Sequence, residues 1–337
     1  MKSTIHDVAR RAGVSVSTVS RSFTRPQLVS AKTRQRVLDV AEAMDFRISR
    51  SAAALKTGQS MRIAMLISDS ITTWFNSHVF AGLNNVFQPA GYDLSIYTMN
   101  TVQARAEFFA SLPVRRNADA VVVCSFNIVP KEIAKLGNMD VPVVGINIPN
   151  TDRFDASVNV DDRQSMKLAV NHLTSLGHQR VAYVRASHGS PFRYRADERL
   201  EGFEEAVKEA GIADMTTSLR CPPGMDASNT ALAQILSLNP APTAVCFQTD
   251  GLAIPVLYGL HHYGREVPHD ISIVGFDDST YSEEIGLTTI QQKPYEMGVE
   301  LARKTLCLIE GGRPDQPFEM FPTHLVLRET TQPPADR

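Results

Sequence analysis

The chain has 337 residues, of which 43% are hydrophobic and 21% charged, so it is long enough for two or three domains and too apolar for a disordered chain. No apolar run reaches the ~18 residues that a membrane-spanning helix needs, and the charged N-terminus MKSTIHDVARR lacks the apolar core of a signal peptide. The four cysteines are far apart and form no CxxC pair, which favours reduced thiols. We therefore expect a cytoplasmic protein with no membrane partner.

The formal net charge of −2 hides an uneven distribution along the chain. Residues 1–58 contain eleven Lys and Arg against four Asp and Glu, a charge of +7, whereas the remainder contains 23 against 32, a charge of −9. A basic head on an acidic body favours contact of the head with a polyanion. The alternative, on composition alone, is a basic solvated tail.

The first fifty residues carry the pattern of three short helices. Thr4 stands three residues before Asp7, the spacing of a capping box, and apolar residues then recur at helical spacing up to Gly13, a residue type that ends helices. A hydroxyl-rich second helix over 15–21 and a third helix starting at Ser30 complete a predicted helix-turn-helix. The predicted core faces consist of Ile5, Val8, Ala9, Ala12, Val19, Val37, Val40, Ala41 and Met44.

The second helix has side chains suited to the major groove of DNA. A Val16 methyl group can contact a thymine methyl, Ser17 can bond either type of base, and Arg21 can donate two hydrogen bonds to guanine. Hydroxyl groups and the free N–H groups at the helix start can hold phosphates. We therefore predict double-stranded DNA as a partner, whereas the alternative is a purely structural three-helix bundle. The predicted contact residues in this head are Thr4, Ser15, Val16, Ser17, Thr18 and Arg21.

The sequence TIHDVARRAGVSVSTVSR at 4–21 closely resembles the head of LacI/GalR-type bacterial transcription regulators, and the match continues to LKTG at 55–58. The resemblance implies that 48–61 form a hinge and linker that fold when two copies meet on DNA, with Leu55 wedged into the minor groove. The family's usual Pro near 48 and Arg near 53 are replaced here by Ile48 and Ala53. The alternative for Leu55 is an ordinary linker leucine.

From Arg62 onward, short apolar segments alternate with helical stretches. Continuous apolar strands separated by helices predict parallel sheets that are covered on both faces. Two such series predict two doubly wound α/β lobes with a ligand cleft between them. The predicted strands are 62–68, 93–98, 119–124 and 141–146 in the first series, and 180–184, 243–247 and 270–276 in the second.

The body also resembles the LacI family, whose body is similar to periplasmic sugar-binding proteins. Matching motifs include RLEGF at 199–203 and DISIVGFDD at 270–278, and the resemblance covers about residues 3–331. It implies that the chain crosses between the lobes three times. The expected domains are a DNA-binding head at 1–47, a hinge and linker at 48–61, a first lobe at 62–160 with about 290–320, a second lobe at 161–289 with about 321–332, and a tail at 333–337.

The resemblance also supplies candidate effector residues at strand ends that face the cleft. The segment DSITTWF at 69–75 matches the family's D-x-x-N-P-F-F, and Trp74 offers a flat apolar face to a sugar. Arg193, Arg195 and Arg199 favour an anionic effector, such as a sugar acid or phosphate, unless Asp197 and Glu198 neutralise their charge. For each candidate, the alternative is a packing position or a salt bridge. The candidates are Thr72, Trp74, Phe75, Asn147, Arg193, Arg195, Arg199 and Asp250.

No catalytic motif competes, because the sequence lacks G-x-S-x-G, a P-loop, HExxH and a dinucleotide-binding glycine motif. We therefore predict no enzyme, no cofactor and no metal site, and we interpret the aspartate pairs at 161–162 and 277–278 as strand-end and loop residues. The prediction is a homodimeric transcription regulator, a repressor, that binds a pseudo-palindromic operator and responds to a carbohydrate-derived effector. The alternative is a stand-alone small-molecule-binding module without DNA binding.

Overall fold

The computed structural model describes residues 3–24, 28–46, 59–115, 118–137, 141–187, 194–222, 224 and 226–335. Contacts within the chain separate a head, residues 1–61, from a body, residues 62–337. Two of the predicted site residues, Leu55 in the hinge and Arg193 near the cleft, lie outside the described residues.

The head forms the predicted helix-turn-helix, with α1 (Ile5–Ala12), α2 (Val16–Thr24) and α3 (Ala31–Ala43). Thr4 caps α1 through a capping box with Asp7, and Gly13 ends this helix in the left-handed conformation at φ 64°. The Ser30 hydroxyl caps α3 by accepting from the N–H of Thr33. The predicted apolar faces meet in one core, whose buried members are Val8, Ala9, Ala12, Val19, Val37 and Ala41.

The body consists of strands and helices that mostly alternate along the chain. In chain order they are β1 (Arg62–Ile67), α4 (Trp74–Phe87), β2 (Asp93–Thr98), α5 (Val102–Arg115), β3 (Ala120–Cys124), α6 (Pro130–Gly137), β4 (Val143–Ile146), β5 (Ala156–Val160), α7 (Asp162–Ser175), β6 (Val181–Ala186), α8 (Asp197–Glu209), β7 (Thr217–Cys221), α9 (Ala227–Ser237), β8 (Ala244–Phe247), α10 (Asp250–His262), β9 (Ser272–Asp277), β10 (Thr289–Gln291), α11 (Pro294–Ile309), β11 (Phe318–Phe321) and β12 (His324–Val326).

These strands form two lobes whose sheets share the same strand order and differ in the direction of the sixth strand. Among the described residues, the first sheet has six strands in the order β2-β1-β3-β4-β5-β11, and the second has six in the order β7-β6-β8-β9-β10-β12. The recorded strand pairs are parallel except for β10 with β12. The chain passes to the second sheet after β5, returns after β10 and passes over again after β11. The predicted architecture of two doubly wound lobes is thus confirmed.

Both faces of each sheet are covered by apolar side chains, as continuous apolar strands predict. In β6, Val181 and Tyr183 point into one buried cluster, while Ala182 and Val184 point into another. In the first lobe, α11 packs on α4 so closely that a Cβ on Gly82 would overlap the backbone carbonyl of Tyr295. None of the described helices combines the length and the apolar character of a membrane span.

Candidate functional site

Most of the residues predicted to contact DNA lie on α2 or directly before it. The Ser15 hydroxyl accepts from the Thr18 N–H at 3.1 Å, and it lies 2.8 Å from the Ser17 hydroxyl. Ser17 and Arg21 are exposed, whereas Val16 is partly buried against the core of the head. Of the residues predicted to read bases, Ser17 and Arg21 therefore present their side chains to solvent, and Val16 does so only in part.

A cavity of about 430 Å³ lies between the two lobes of the body, at the carboxyl ends of strands from both sheets. Its aromatic lining consists of Trp74, Phe75 and Tyr194. Most of its polar lining comes from strand ends and the turns that follow them, namely Ser68, Asp69, Ser125, Asn147, Ser187, Gln248, Thr249, Asp277 and Gln292. Thr73, Asn76 and Arg199, at or within helices, complete it. Among the described residues, no group of His, Cys, Asp or Glu side chains is arranged to hold a metal ion.

Four predicted effector residues line this cavity, namely Trp74, Phe75, Asn147 and Arg199. Thr72 does not line it. The Thr72 side chain is exposed, and its hydroxyl lies 2.7 Å from the Ser70 hydroxyl in the turn before α4. Thr72 thus shapes the turn that carries Trp74.

Asp250, predicted to accept hydrogen bonds from the ligand, does not line the cavity either. Its carboxylate is fully buried and accepts from the Ser279 N–H at 2.8 Å, the Ser282 hydroxyl at 2.6 Å and the Thr289 hydroxyl at 2.7 Å. These donors come from the loop after β9 and from β10, so both carboxylate oxygens are occupied. In this structure Asp250 thus anchors the strand ends of the second lobe.

The predicted cluster of cleft arginines is replaced by a buried ion-pair network. Asp162, at the start of α7, accepts from the Nε of Arg199 at 2.7 Å and from the Nε of Arg195 at 3.1 Å. Arg195 lies 3.3 Å from the carboxylate of Glu198 and does not line the cavity. Burial alone would lower the pKa of Arg199, but the carboxyl groups of Asp162 and Asp277 raise it above its usual value. The charges of Arg195 and Arg199 are therefore balanced within the protein, and these two arginines do not argue for an anionic ligand; Arg193 lies outside the described residues.

Two amide side chains of residues that line the cavity each have one buried atom without a hydrogen-bond partner. The Nε2 of Gln248 and the Oε1 of Gln292 have no hydrogen-bond partner among the described residues. The opposite ends of both amides are held in place, because the Gln248 Oε1 accepts from the Ala186 N–H and the Gln292 Nε2 donates to Asp277 at 2.6 Å. Since an unpaired buried polar group costs about 1–3 kcal/mol, each of these two lining residues retains an unsatisfied atom.

The backbone at the cavity is strained. Ser125, Asn147 and Asp277 line the cavity with positive φ angles of 65°, 50° and 128°, and Asp278 follows at 56°. Such conformations cost on the order of 1–3 kcal/mol each for residues other than glycine, and they concentrate at functional sites. The strain lies at strand ends in both lobes, which supports a ligand site between them.

The carboxyl group of Asp277 also lines the cavity, and its pKa is raised above its usual value. Burial raises the pKa of Asp277 to about 8, against the opposing charge of Arg199 and with a further contribution from the nearby charge of Asp250. The carboxyl group of Asp277 is therefore largely protonated at neutral pH.

This raised pKa predicts a pH dependence of stability. Because the folded protein holds a proton that the unfolded chain releases near pH 3.8, the free energy of unfolding should fall as pH rises toward about 8. In Asp277→Asn, the melting temperature should fall less than in the wild type between about pH 6 and about pH 8. The control is Asp278→Asn, because Asp278 is paired with Arg328 at 2.7 Å. Identical pH profiles for Asp277→Asn and the wild type would contradict the assignment.

Three lining residues, Gln248, Asp277 and Gln292, were missed as candidate ligand groups. Each stands at the carboxyl end of a strand or directly after one, namely β8, β9 and β10. The rule that ligands bind at the carboxyl ends of parallel strands, applied to every strand, would have found them. The interpretation of 277–278 as ordinary strand-end and loop residues is thus incomplete, because Asp277 lines the cavity.

Comparison with known proteins gives matches to both parts of the chain. The model of bacterial regulatory proteins of the lacI family matches residues 4–49, and the periplasmic binding protein-like domain matches residues 170–331. Catabolite control protein A of Priestia megaterium is 26% identical over 336 residues, 98% of this chain and 100% of that protein. The ribose operon repressor of Halalkalibacterium halodurans is 29% identical over 339 residues, 98% of this chain and 97% of that protein.

Solved structures agree with these matches. The crystal structure of the lac repressor dimer bound to operator and the anti-inducer ONPF superposes with a TM-score of 0.82 and 25% identity, covering 98% of this chain and 100% of that chain. Head and body are thus matched together along nearly the full length of a regulator bound to DNA. The chain belongs to the LacI family of bacterial DNA-binding transcription regulators, and it is a regulator rather than an enzyme.

Proposed function

We propose that this regulator is a homodimeric repressor whose operator affinity is controlled by a small carbohydrate-derived effector bound in the cavity between the lobes. The observation that supports the effector part of the proposal is the cavity of about 430 Å³ between the lobes, which is lined by Trp74 and by the residues Gln248 and Gln292. The basic head supports the DNA half, because two heads on a two-fold dimer fit a pseudo-palindromic operator.

The lining supports a ligand rich in hydroxyl groups. Trp74 offers a flat ring to the C–H face of a sugar, and the amides of Gln248 and Gln292 offer a donor and an acceptor to its hydroxyl groups. Arg199 is already bound to Asp162, so an acid or phosphate finds no free guanidinium among the described lining residues. A neutral sugar is therefore the favoured class within the predicted range of sugars, sugar acids and sugar phosphates.

The domain boundaries and the hinge belong to the same proposal. Residues 1–47 bind the operator, and residues 48–61 form the hinge, with Leu55 inserted into the minor groove. The first lobe comprises 62–160 with about 290–320, the second comprises 161–289 with about 321–332, and 333–337 form a tail. An effector that changes the angle between the lobes would change the spacing of two hinges in a dimer, and hence the fraction of dimers able to bind DNA.

The effector is identified by a thermal-shift screen of the full-length protein against ribose, galactose, adenosine, gluconate and glucose 6-phosphate. A ligand present at 100 times its Kd stabilises the folded state by about 2.7 kcal/mol, which gives a readable rise in melting temperature. The same compound should change the affinity for an operator selected from a random-sequence DNA pool. A hit that leaves operator affinity unchanged would contradict the regulatory part of the proposal.

Gln292→Leu should weaken binding of the hit roughly tenfold to a hundredfold, because a ligand hydroxyl group loses its partner. Gln291→Leu is the matched control, since the neighbouring Gln291 donates to Asp278 and does not line the cavity. Calorimetric titration of both variants measures the difference. Equal losses of affinity in the two variants would argue against a ligand contact at Gln292.

A further inference from the structure

The segment that leads into α8 belongs to the second lobe in sequence, but it contacts the first lobe. Tyr194 forms an antiparallel bridge with Phe126, which follows β3. The N–H of Arg195 donates to the carbonyl oxygen of Ser125 at 3.3 Å. The backbone of this segment is therefore attached across the cleft, beside the cavity that Tyr194 and Ser125 both line.

The side chain of Arg195 extends this attachment. Its Nη2 donates to the carbonyl oxygen of Val160, the last residue of β5, at 2.7 Å. Its Nη1 approaches the carbonyl oxygen of Ile148, which follows β4, at 3.4 Å. On the second lobe, the same guanidinium binds Asp162 and Glu198. Arg195 is 8% exposed, so these contacts are shielded from water and weakly screened.

Arg195 is coupled to the cavity through a single carboxylate. Arg195 binds the Oδ2 of Asp162, while Arg199, one helical turn further along, binds the Oδ1. Arg199 lines the cavity and Arg195 does not. Arg199, Asp162 and Arg195 thus form a continuous chain of contacts from the cavity to the strand ends of the first lobe.

We infer that Arg195 is a positioning residue that sets the angle between the two lobes and connects the effector contact at Arg199 to the first lobe. The inference rests on the proposed function of the cavity as an effector site. It assigns Arg195 a role in the effector response without a contact to the effector.

Trp74 provides the test, because it is the only tryptophan in the chain and lines the cavity from the first lobe. In full-length Arg195→Gln, the lobes should open, and the acrylamide quenching constant of Trp74 fluorescence should rise roughly twofold. The matched control is Arg163→Gln. Arg163 binds Glu201 and Glu205, which both lie on α8 within the second lobe, so the quenching constant of this variant should equal that of the wild type.

An unchanged quenching constant in folded Arg195→Gln would overturn the inference. Circular dichroism establishes that the variant is folded. If Arg195→Gln does not fold, Arg195→Lys tests the inference, because lysine keeps the charge but offers a single nitrogen. The quenching constant of Trp74 in this variant must then exceed that of the wild type. The quenching constant and circular dichroism are both measured without DNA or an effector, whereas operator binding by the wild type tests the proposed function. Failure of this inference is therefore distinguishable from failure of the proposed function.

Discussion

Operator binding by the full-length protein will weaken about a thousandfold when salt rises from about 50 to about 200 mM, because each phosphate contact releases condensed counterions. The physical basis is the head, whose charge of +7 contrasts with the acidic body. Fluorescence anisotropy with a labelled operator, selected from a random-sequence pool, measures the affinity at each salt concentration. A flat salt response would remove the argument that the head contacts phosphates.

The same assay isolates the base-reading role of α2. Arg21 is exposed on this helix. Loss of a bidentate hydrogen bond to guanine costs about 1–3 kcal/mol, so Arg21→Ala should bind the operator roughly tenfold to a hundredfold more weakly at fixed salt. Arg265→Ala is the matched control, because it removes an exposed arginine of the body and changes the net charge equally. Equal affinities of the two variants would show that Arg21 contributes through net charge alone.

Replacing Asp162 by alanine will lower the free energy of unfolding of the body by ~3–5 kcal/mol, because two buried guanidinium groups lose a shared counterion. Asp162 is fully buried and lies 2.7 Å from Arg199 and 3.1 Å from Arg195. The carboxyl group of Asp277 lies farther from Arg199, at 3.8 Å, and its raised pKa leaves it largely protonated near neutral pH. Asp277 is therefore a poor replacement for Asp162 as the counterion of Arg199. Urea unfolding followed by Trp74 fluorescence reports on the body alone.

The neighbouring residue provides the control. Asp161 caps α7 by accepting from the Gln164 N–H at 2.9 Å, and loss of such a cap costs about 1 kcal/mol. Asp161→Ala should therefore destabilise the body far less than Asp162→Ala. Similar losses for the two variants would mean that the ion-pair network contributes little beyond the cap.

Most of the strands that could be predicted have nearly uninterrupted apolar residues, such as β1, β3 and β9, although β2 (DLSIYT) was predicted as well. Strand β5 escapes prediction because Ala156–Val160 contains Ser157 and Asn159, although all five residues are buried. Asn159 accepts from the Ile148 N–H and donates to the Ser157 hydroxyl, so its polar groups are satisfied inside the lobe. The Ile148 N–H comes from another segment of the chain, and such a partner leaves no local pattern.

Only part of the site could be predicted, and the reason is related. The family resemblance locates residues near the cleft, and Trp74 and Arg199 do line the cavity. It does not reveal which side chains are already occupied. Asp250 is bound by three donors from beyond residue 278, and Arg195 is bound by backbone carbonyls of β5 and of the segment after β4. Only the three-dimensional packing distinguishes an anchoring carboxylate from one that is open to a ligand.

The repeated crossing of the chain between the two sheets has a consequence for synthesis on the ribosome. Strand β11, which pairs with β5, and strand β12, which pairs with β10, are separated by only two residues near the end of the body. Neither lobe has its full sheet until translation has passed these strands, although most of the first lobe emerges well before most of the second. Because β5 and β10 each keep one edge without a partner until then, the nascent chain exposes two open sheet edges to its neighbours. The two lobes are therefore completed almost simultaneously. The growing chain is most vulnerable to aggregation in the interval before β11 and β12 have been synthesised.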